Sequence, residues 1–112
     1  MPTISNKNEL VTLINVFTVE ASQQQRVVEM LVEATEKTMR QVPGFISASI
    51  HKSLDGARVV NYAQWRSRQD FEAMRNNPQA QAHMKRLLEI AKADFHLYEV
   101  VHSLAVPDDA SR

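Results

Sequence analysis

Asp55-Gly56 constrains this chain more than any other pair of neighbours. The dipeptide suits a tight turn that needs a positive φ, and it stands between two stretches of strand-like sequence. On one side, Phe45 to Ser53 sets Phe45, Ser47, Ser49 and His51 against Ile46, Ala48 and Ile50. On the other, a second strand begins at Arg58 and runs to Trp65. An antiparallel hairpin in the middle of the chain is predicted, and the other elements must be arranged around it.

Upstream, Leu10 to Val19 is rich in apolar and β-branched residues and reads as a first strand, with Leu13, Asn15, Phe17 and Val19 on one face and Thr12, Ile14, Val16 and Thr18 on the other. Ser22 with Gln25 has the spacing of a capping box, and a helix follows with an apolar stripe of Val28, Leu31, Val32, Thr35 and Met39. Pro43-Gly44 ends it. Downstream of the hairpin, Ser67 and Asp70 cap a short helix carrying Phe71 and Met74. Asn77-Pro78 opens another, with Ala80, His83, Met84, Leu87, Leu88 and Ala91 at helical spacing. A last strand is predicted from Asp94 to Val106, stopped by Pro107.

The order β-α-β-β-α-β is that of a ferredoxin-like α+β domain, a four-stranded antiparallel sheet with helices on one face. It spans residues 10–106, between polar tails at 1–9 and 107–112. If Ile14, Val16, Ile46, Ala48 and Ile50 face the helices, the open face carries Asn15, Phe17, Phe45, Ser49, His51, Asn61 and Trp65. Such a patch calls for cover, so a homodimer is expected, closed as an α/β barrel with a cavity on each side.

Composition narrows the functional classes. One domain with a single core is all that 112 residues allow. Thirteen basic residues balance thirteen acidic ones, so neither nucleic acid nor an anionic membrane is favoured as a partner. The absence of cysteine excludes disulfides, thiolate metal sites and cysteine nucleophiles. Phosphate loops are not encoded, since Gly44 and Gly56 are the only glycines and both sit at turns. His96 and His102 would be about 20 Å apart on a strand, too far to share an ion, and no metal site is expected. Neither a secretory leader nor an apolar run long enough to span a bilayer is present, so a soluble cytoplasmic protein is expected.

The residues that carry candidate chemistry lie on the third strand. Asn61, Ala63 and Trp65 share one face, placing an amide and an indole roughly 13 Å apart along one wall, wide enough to bracket a flat aromatic ligand. Two readings of that pair stand. The lone tryptophan is also what a core uses for bulk, and a strand asparagine also satisfies backbone groups.

Taken with the element order, the residues Asn15-x-Phe17-x-Val19, Pro43-Gly44-Phe45, Asn61-x-x-x-Trp65, Ser67-x-x-Asp70-Phe71 and His83 resemble the antibiotic biosynthesis monooxygenase (ABM) domain family over about residues 10–105. The resemblance implies a small dimer, and its nearest branch oxidises anthrones and quinols to quinones with molecular oxygen and no flavin, haem or metal. In that branch the positions of Asn61 and Trp65 belong to the active site. The resemblance thus implies an amide on the developing oxyanion, an indole stacked on the rings, and His51 as base or proton shuttle, for which an ordinary imidazole pKa is suited. Lining is expected from Asn15, Phe17, Phe45, Ser49, Phe71, Met74, His83 and Tyr98. Phe71 stands where some quinone-forming members carry tyrosine, which leaves proton donation to His51 or Tyr98. A haem-degrading branch is also similar, matching Asn15 and His83, but Met74 lies near the place of the tryptophan that distorts haem there. A non-catalytic binder of small aromatics, or a stress-related protein, is the remaining reading.

Overall fold

Residues 10–108 are described by the computed structural model. The expected N-terminal tail lies outside them, as does the end of the C-terminal one. The elements run β1 (Val11–Val19), α1 (Gln24–Lys37), β2 (Phe45–Lys52), β3 (Arg58–Trp65), α2 (Arg68–Arg75), α3 (Pro78–Leu87) and β4 (Ala91–Tyr98), with short 3-10 turns at Ala21–Gln23 and Met39–Gln41. All strand pairs are antiparallel, in the order β2-β3-β1-β4. This is the ferredoxin-like α+β arrangement that the element order predicts.

Local chemistry explains the joints. At the β2–β3 turn Gly56 has φ +83°, the Ser53 hydroxyl and Ala57 N–H both donate to Asp55 Oδ1 (2.7 and 3.0 Å), and Ser53 N–H donates to the Arg58 carbonyl at 2.9 Å. The Ser53 hydroxyl first, then the Ala57 N–H, holds the Asp55 carboxyl below its ordinary range. That support for the turn is present above the ordinary carboxylate pKa and is lost as pH falls through the depressed one. Ser67 Oγ accepts from Asp70 N–H at the start of α2. Asn77 Oδ1 accepts from Gln79 and Ala80 N–H at the start of α3, with Pro78 in the first turn.

On β1 and β3 the buried face is the reverse of the expectation, while on β2 Ala48 and Ile50 face the helices as expected. Leu13, Asn15, Phe17 and Val19 are buried beneath the helices, and their cross-strand partners Ala63, Asn61 and Val59 on β3 and Leu97, Phe95, Ala93 and Ala91 on β4 point the same way. Ile14 and Val16 are on the open face. The larger side chains win the helix side because Val27, Leu31 and Leu87 enclose Phe17 and Val59 completely. A bulge between Phe45 and Ser47 changes the alternation of β2, so Phe45 joins Ala48 and Ile50 on the helix side, while the hairpin register keeps Ser49 and His51 on the open side.

Other boundaries also move. Helix α1 is entered through the 3-10 turn rather than a Ser22–Gln25 capping box: its N-cap Gln23 makes no side-chain cap bond, and Gln25 reaches Glu29 instead. Its buried stripe is Val27, Leu31 and Ala34, one position off the predicted one, and Val32 is exposed. Strand β4 begins three residues earlier than predicted, at Ala91, and stops at Tyr98 instead of Val106. It stops because Tyr98 pairs with Thr12, which leaves almost none of β1 to hold a longer strand. Residues 99–108 are irregular and exposed.

Gly44 ties the sheet to the helical layer. It has φ +88°, its carbonyl accepts from Arg66 N–H at 2.7 Å, and a Cβ there would collide with the Asp70 side chain, which Arg66 Nε meets at 2.9 Å. At Gly56 the nearest side chain to such a Cβ is 3.4 Å away. Gly44→Ala is therefore expected to destabilise the fold by about 1–3 kcal/mol and by more than Gly56→Ala, read from urea midpoints. Equal losses would refute the packing role of Gly44.

Candidate active site

The helix face of the sheet does not close into one core. Phe17, Val19, Val27, Leu31, Val59 and Leu87 form one buried cluster, and Leu13, Ala63, Trp65 and Phe71 form another. Between sheet and helices lies a cavity of about 630 Å³, walled by members of both clusters and by Met39, Met74 and Met84. Its volume suits a small organic ligand, and the thioethers give an apolar wall that can adapt in shape.

Two amides stand in this wall. Asn15 on β1 and Asn61 on β3 are direct cross-strand partners, and both line the cavity. Partners so placed have Cβ atoms about 5 Å apart. The Oδ1 atoms of both are buried without a hydrogen-bond partner. A half turn of either amide exchanges oxygen and nitrogen, so each can offer the other atom, but one polar end stays unpaired. Leaving such a group unpaired costs about 1–3 kcal/mol. Amides buried at least in part beside an apolar cavity are suited to donating to an oxygen that acquires charge, because little water has to be reorganised around them.

Trp65 is placed differently from the sequence expectation. It is 1% exposed, packs edge-on against Phe45 (5.4 Å between ring centroids) and Phe71 (6.0 Å), and does not line the cavity. Its Nε1 is buried and unpaired. Phe71 stands on the cavity wall and meets Phe95 at 5.9 Å. Trp65 thus supports, through Phe71, the wall that the ligand would touch.

Of the predicted site residues, Asn15, Phe17, Asn61, Phe71, Met74 and His83 come together around the cavity. Phe45 and Trp65 lie behind it in the second cluster. Ser49, His51 and Tyr98 are on the opposite face of the sheet, set there by the pairing of Ser49 with Tyr62, His51 with Val60 and Tyr98 with Thr12. His51 and Tyr98 therefore cannot pass protons to this cavity within one chain. Phe95, Arg75, Lys85 and Leu31 line it without having been foreseen. Phe95 depends on which face of the last strand turns inward, and the other three depend on helix rotation.

His83 is fixed at both ring nitrogens. Nε2 is 3.0 Å from the buried Thr38 hydroxyl and Nδ1 is 3.1 Å from an Arg86 guanidinium nitrogen. A guanidinium only donates, so in this arrangement Nδ1 accepts and Nε2–H donates to Thr38. The one ligating lone pair, on Nδ1, is taken by Arg86, which leaves the ring unsuited to ligating haem iron. Among the described residues, no cluster of three or more His, Asp or Glu side chains could hold a metal, and no helix is long and apolar enough to cross a membrane.

Comparison with known proteins gives the same direction. Residues 10–86 match the family described as antibiotic biosynthesis monooxygenase. The chain is 45% identical over 103 residues to tetracenomycin-F1 monooxygenase of Streptomyces glaucescens, with 92% of each chain covered. Its fold matches a monooxygenase from the gene ActVA-Orf6 of Streptomyces coelicolor, solved with the ligand nanaomycin D, at TM-score 0.74 and 27% identity, covering 94% of this chain and 98% of that one. It also matches SnoaB of Streptomyces nogalater, described as a cofactor-independent oxygenase, at TM-score 0.73 and 22% identity, covering 86% and 97%.

The unpaired amide at Asn15, 3% exposed, has a cost that can be measured. Replacing it by leucine is expected to stabilise the fold by about 1 kcal/mol while abolishing ligand binding in the cavity. A fall in the urea midpoint would show instead that the amide has a structural partner.

Proposed function

The chain belongs to the antibiotic biosynthesis monooxygenase family, a family of oxygenases, and from that premise we propose that it oxidises a phenolic, anthrone-like or quinol-like aromatic to a quinone, using molecular oxygen and no bound cofactor. The observation that carries this reading is the Asn15–Asn61 pair, two side-by-side amides whose carbonyl oxygens are buried without partners and which a half turn would set with their N–H donors in an otherwise mostly apolar cavity. The identity to tetracenomycin-F1 monooxygenase over nearly the whole chain supports the same chemistry.

In this reading the substrate supplies the electrons that a cofactor would otherwise supply. A ring methylene beside a phenolic ketone loses a proton to solvent and leaves an extended enolate, whose oxygen accepts from the Asn61 and Asn15 amides. The electron-rich ring reduces oxygen, and a carbon–oxygen bond forms to give a peroxide, which takes up a proton. Loss of water then leaves a carbonyl: CH2 plus O2 becomes C=O plus H2O. The protein binds flat rings, excludes water and holds the oxyanion. No Asp or Glu lines the cavity among the described residues, so the acidity comes from the substrate and its amide contacts rather than from a strong carboxylate base.

We also infer a homodimer joined through the open sheet face. Ile14, Val16, Ile46, Tyr62 and Tyr98 form an apolar surface there, partly or wholly exposed in one copy. The cavity lies on the helix side of a single copy, so dimerisation does not enclose it as the sequence reading expected. Val16→Asp is expected to shift the protein to monomer in light scattering at micromolar concentration; an unchanged dimer would put the interface elsewhere.

Oxygen uptake by metal-free, flavin-free protein with a panel of anthrones and hydroquinones tests the main reading. Wild type is expected to exceed autoxidation, and Asn61→Ala to lose roughly 100-fold in kcat, the usual effect of removing one oxyanion donor. Trp65→Phe, which keeps the wall packed, is expected to lose far less. Tight binding with no rate above autoxidation across the panel would instead identify a non-catalytic ligand carrier.

A further inference from the structure

The cavity is uneven in charge. Arg75 and Lys85 line it together with His83, and no acidic side chain does so among the described residues. The Arg75 guanidinium carbon lies 5.1 Å from the Phe95 ring centroid, a cation–π contact that fixes its position. Phe95 is the β4 partner of Asn15, which is itself the β1 partner of Asn61. Two amides and a cation-bearing aromatic ring therefore share one rung of the sheet. At about 4.8 Å per strand, Phe95 lies about 10 Å across the sheet from Asn61, the span of a few fused rings.

We propose that the Arg75 end of this rung recognises a carboxylate on the aromatic substrate, with Arg75 as the specificity-determining residue and Lys85 as a second cation. The inference rests on the cavity taking a flat aromatic, as proposed above. A ligand with its reacting oxygen at the amides would place a substituent at its far end beneath the guanidinium. The ring of Phe95 occupies a face of that group and leaves its edge N–H donors available for a planar acceptor. Glu72 approaches one Arg75 nitrogen at 3.4 Å, but both side chains are about half exposed, so a ligand carboxylate in the less hydrated cavity competes well. A neutral ligand gains nothing from either cation.

Titration of the full-length protein with anthracene carboxylate and with the matching anthracene carboxamide, followed calorimetrically, reads this directly. The carboxylate is expected to bind roughly tenfold tighter at low salt, as one charge-assisted contact allows. The gap should narrow as salt is added. Arg75→Gln is expected to remove the preference while the carboxamide still binds, which reports that the cavity is retained. Lys37→Gln, on the exposed side of α1, should retain it. Equal affinities in wild type, or a preference that survives both Arg75→Gln and Lys85→Gln, would overturn the carboxylate site and leave the oxygenase reading in place. Binding of neither probe would sink both.

Discussion

The pairing of β1 with β3 and β4 is the constraint from which the site follows. Antiparallel register sets Asn15 opposite Asn61 on one side and Phe95 on the other, and the alternation of the pleat turns all three toward the helices. A slip of one residue in the β1–β3 pairing would send an amide to the open face, where water would satisfy it, and a slip in the β1–β4 pairing would send Phe95 there. The register is held by what lies to either side along the strands: Phe17 against Val59 toward one end, and Leu13 against Ala63 toward the other, each in a separate buried cluster. The two clusters stabilise the fold and, by not merging, leave the cavity between them.

That division explains Trp65. A buried indole with an unpaired N–H is an unfavourable way to fill space, yet its ring is gripped edge-on by Phe45 and Phe71, each such contact adding about 1 kcal/mol beyond simple burial. Phe45 is brought there by the β2 bulge, and Phe71 by the Gly44, Arg66 and Asp70 junction at the start of α2. The result is a stiff end wall whose cavity-facing member is Phe71. Changes at Trp65 would act on activity through the position of that wall.

What the sequence made legible was local. The Asp55-Gly56 turn, the Ser67 and Asn77 caps, and the order of elements depend on residues a few positions apart, and each formed as expected. The buried face of the sheet depends on which side the helices fall, and β1 is apolar enough on both faces for either choice. The β2 bulge adds one residue without a composition signal, and the end of β4 is fixed by the length of a strand eighty residues earlier in the chain. These are long-range facts. They account for the separation of His51, Ser49 and Tyr98 from Asn15, Phe17 and Asn61: the first two lie on the open face as expected, while the face shared by the last three turns to the helices and meets the cavity.

Asn61 and Trp65 lie along one strand, but the cavity wall is arranged across strands, from Asn61 through Asn15 to Phe95. The difference bears on mechanism. A site laid out along β3 would pair an amide with an indole donor and need an imidazole nearby to move protons. The cross-strand site has two amides, apolar walls and cations at its far edge, and its histidine is held by Thr38 and Arg86. Such a set of groups can hold an anion and exclude water, but it has little capacity to exchange protons. On the proposed function, chemistry in it begins from a substrate acidic enough to form its own enolate and electron-rich enough to reduce oxygen, and the poverty of the cavity in acid–base groups supports that choice of molecule.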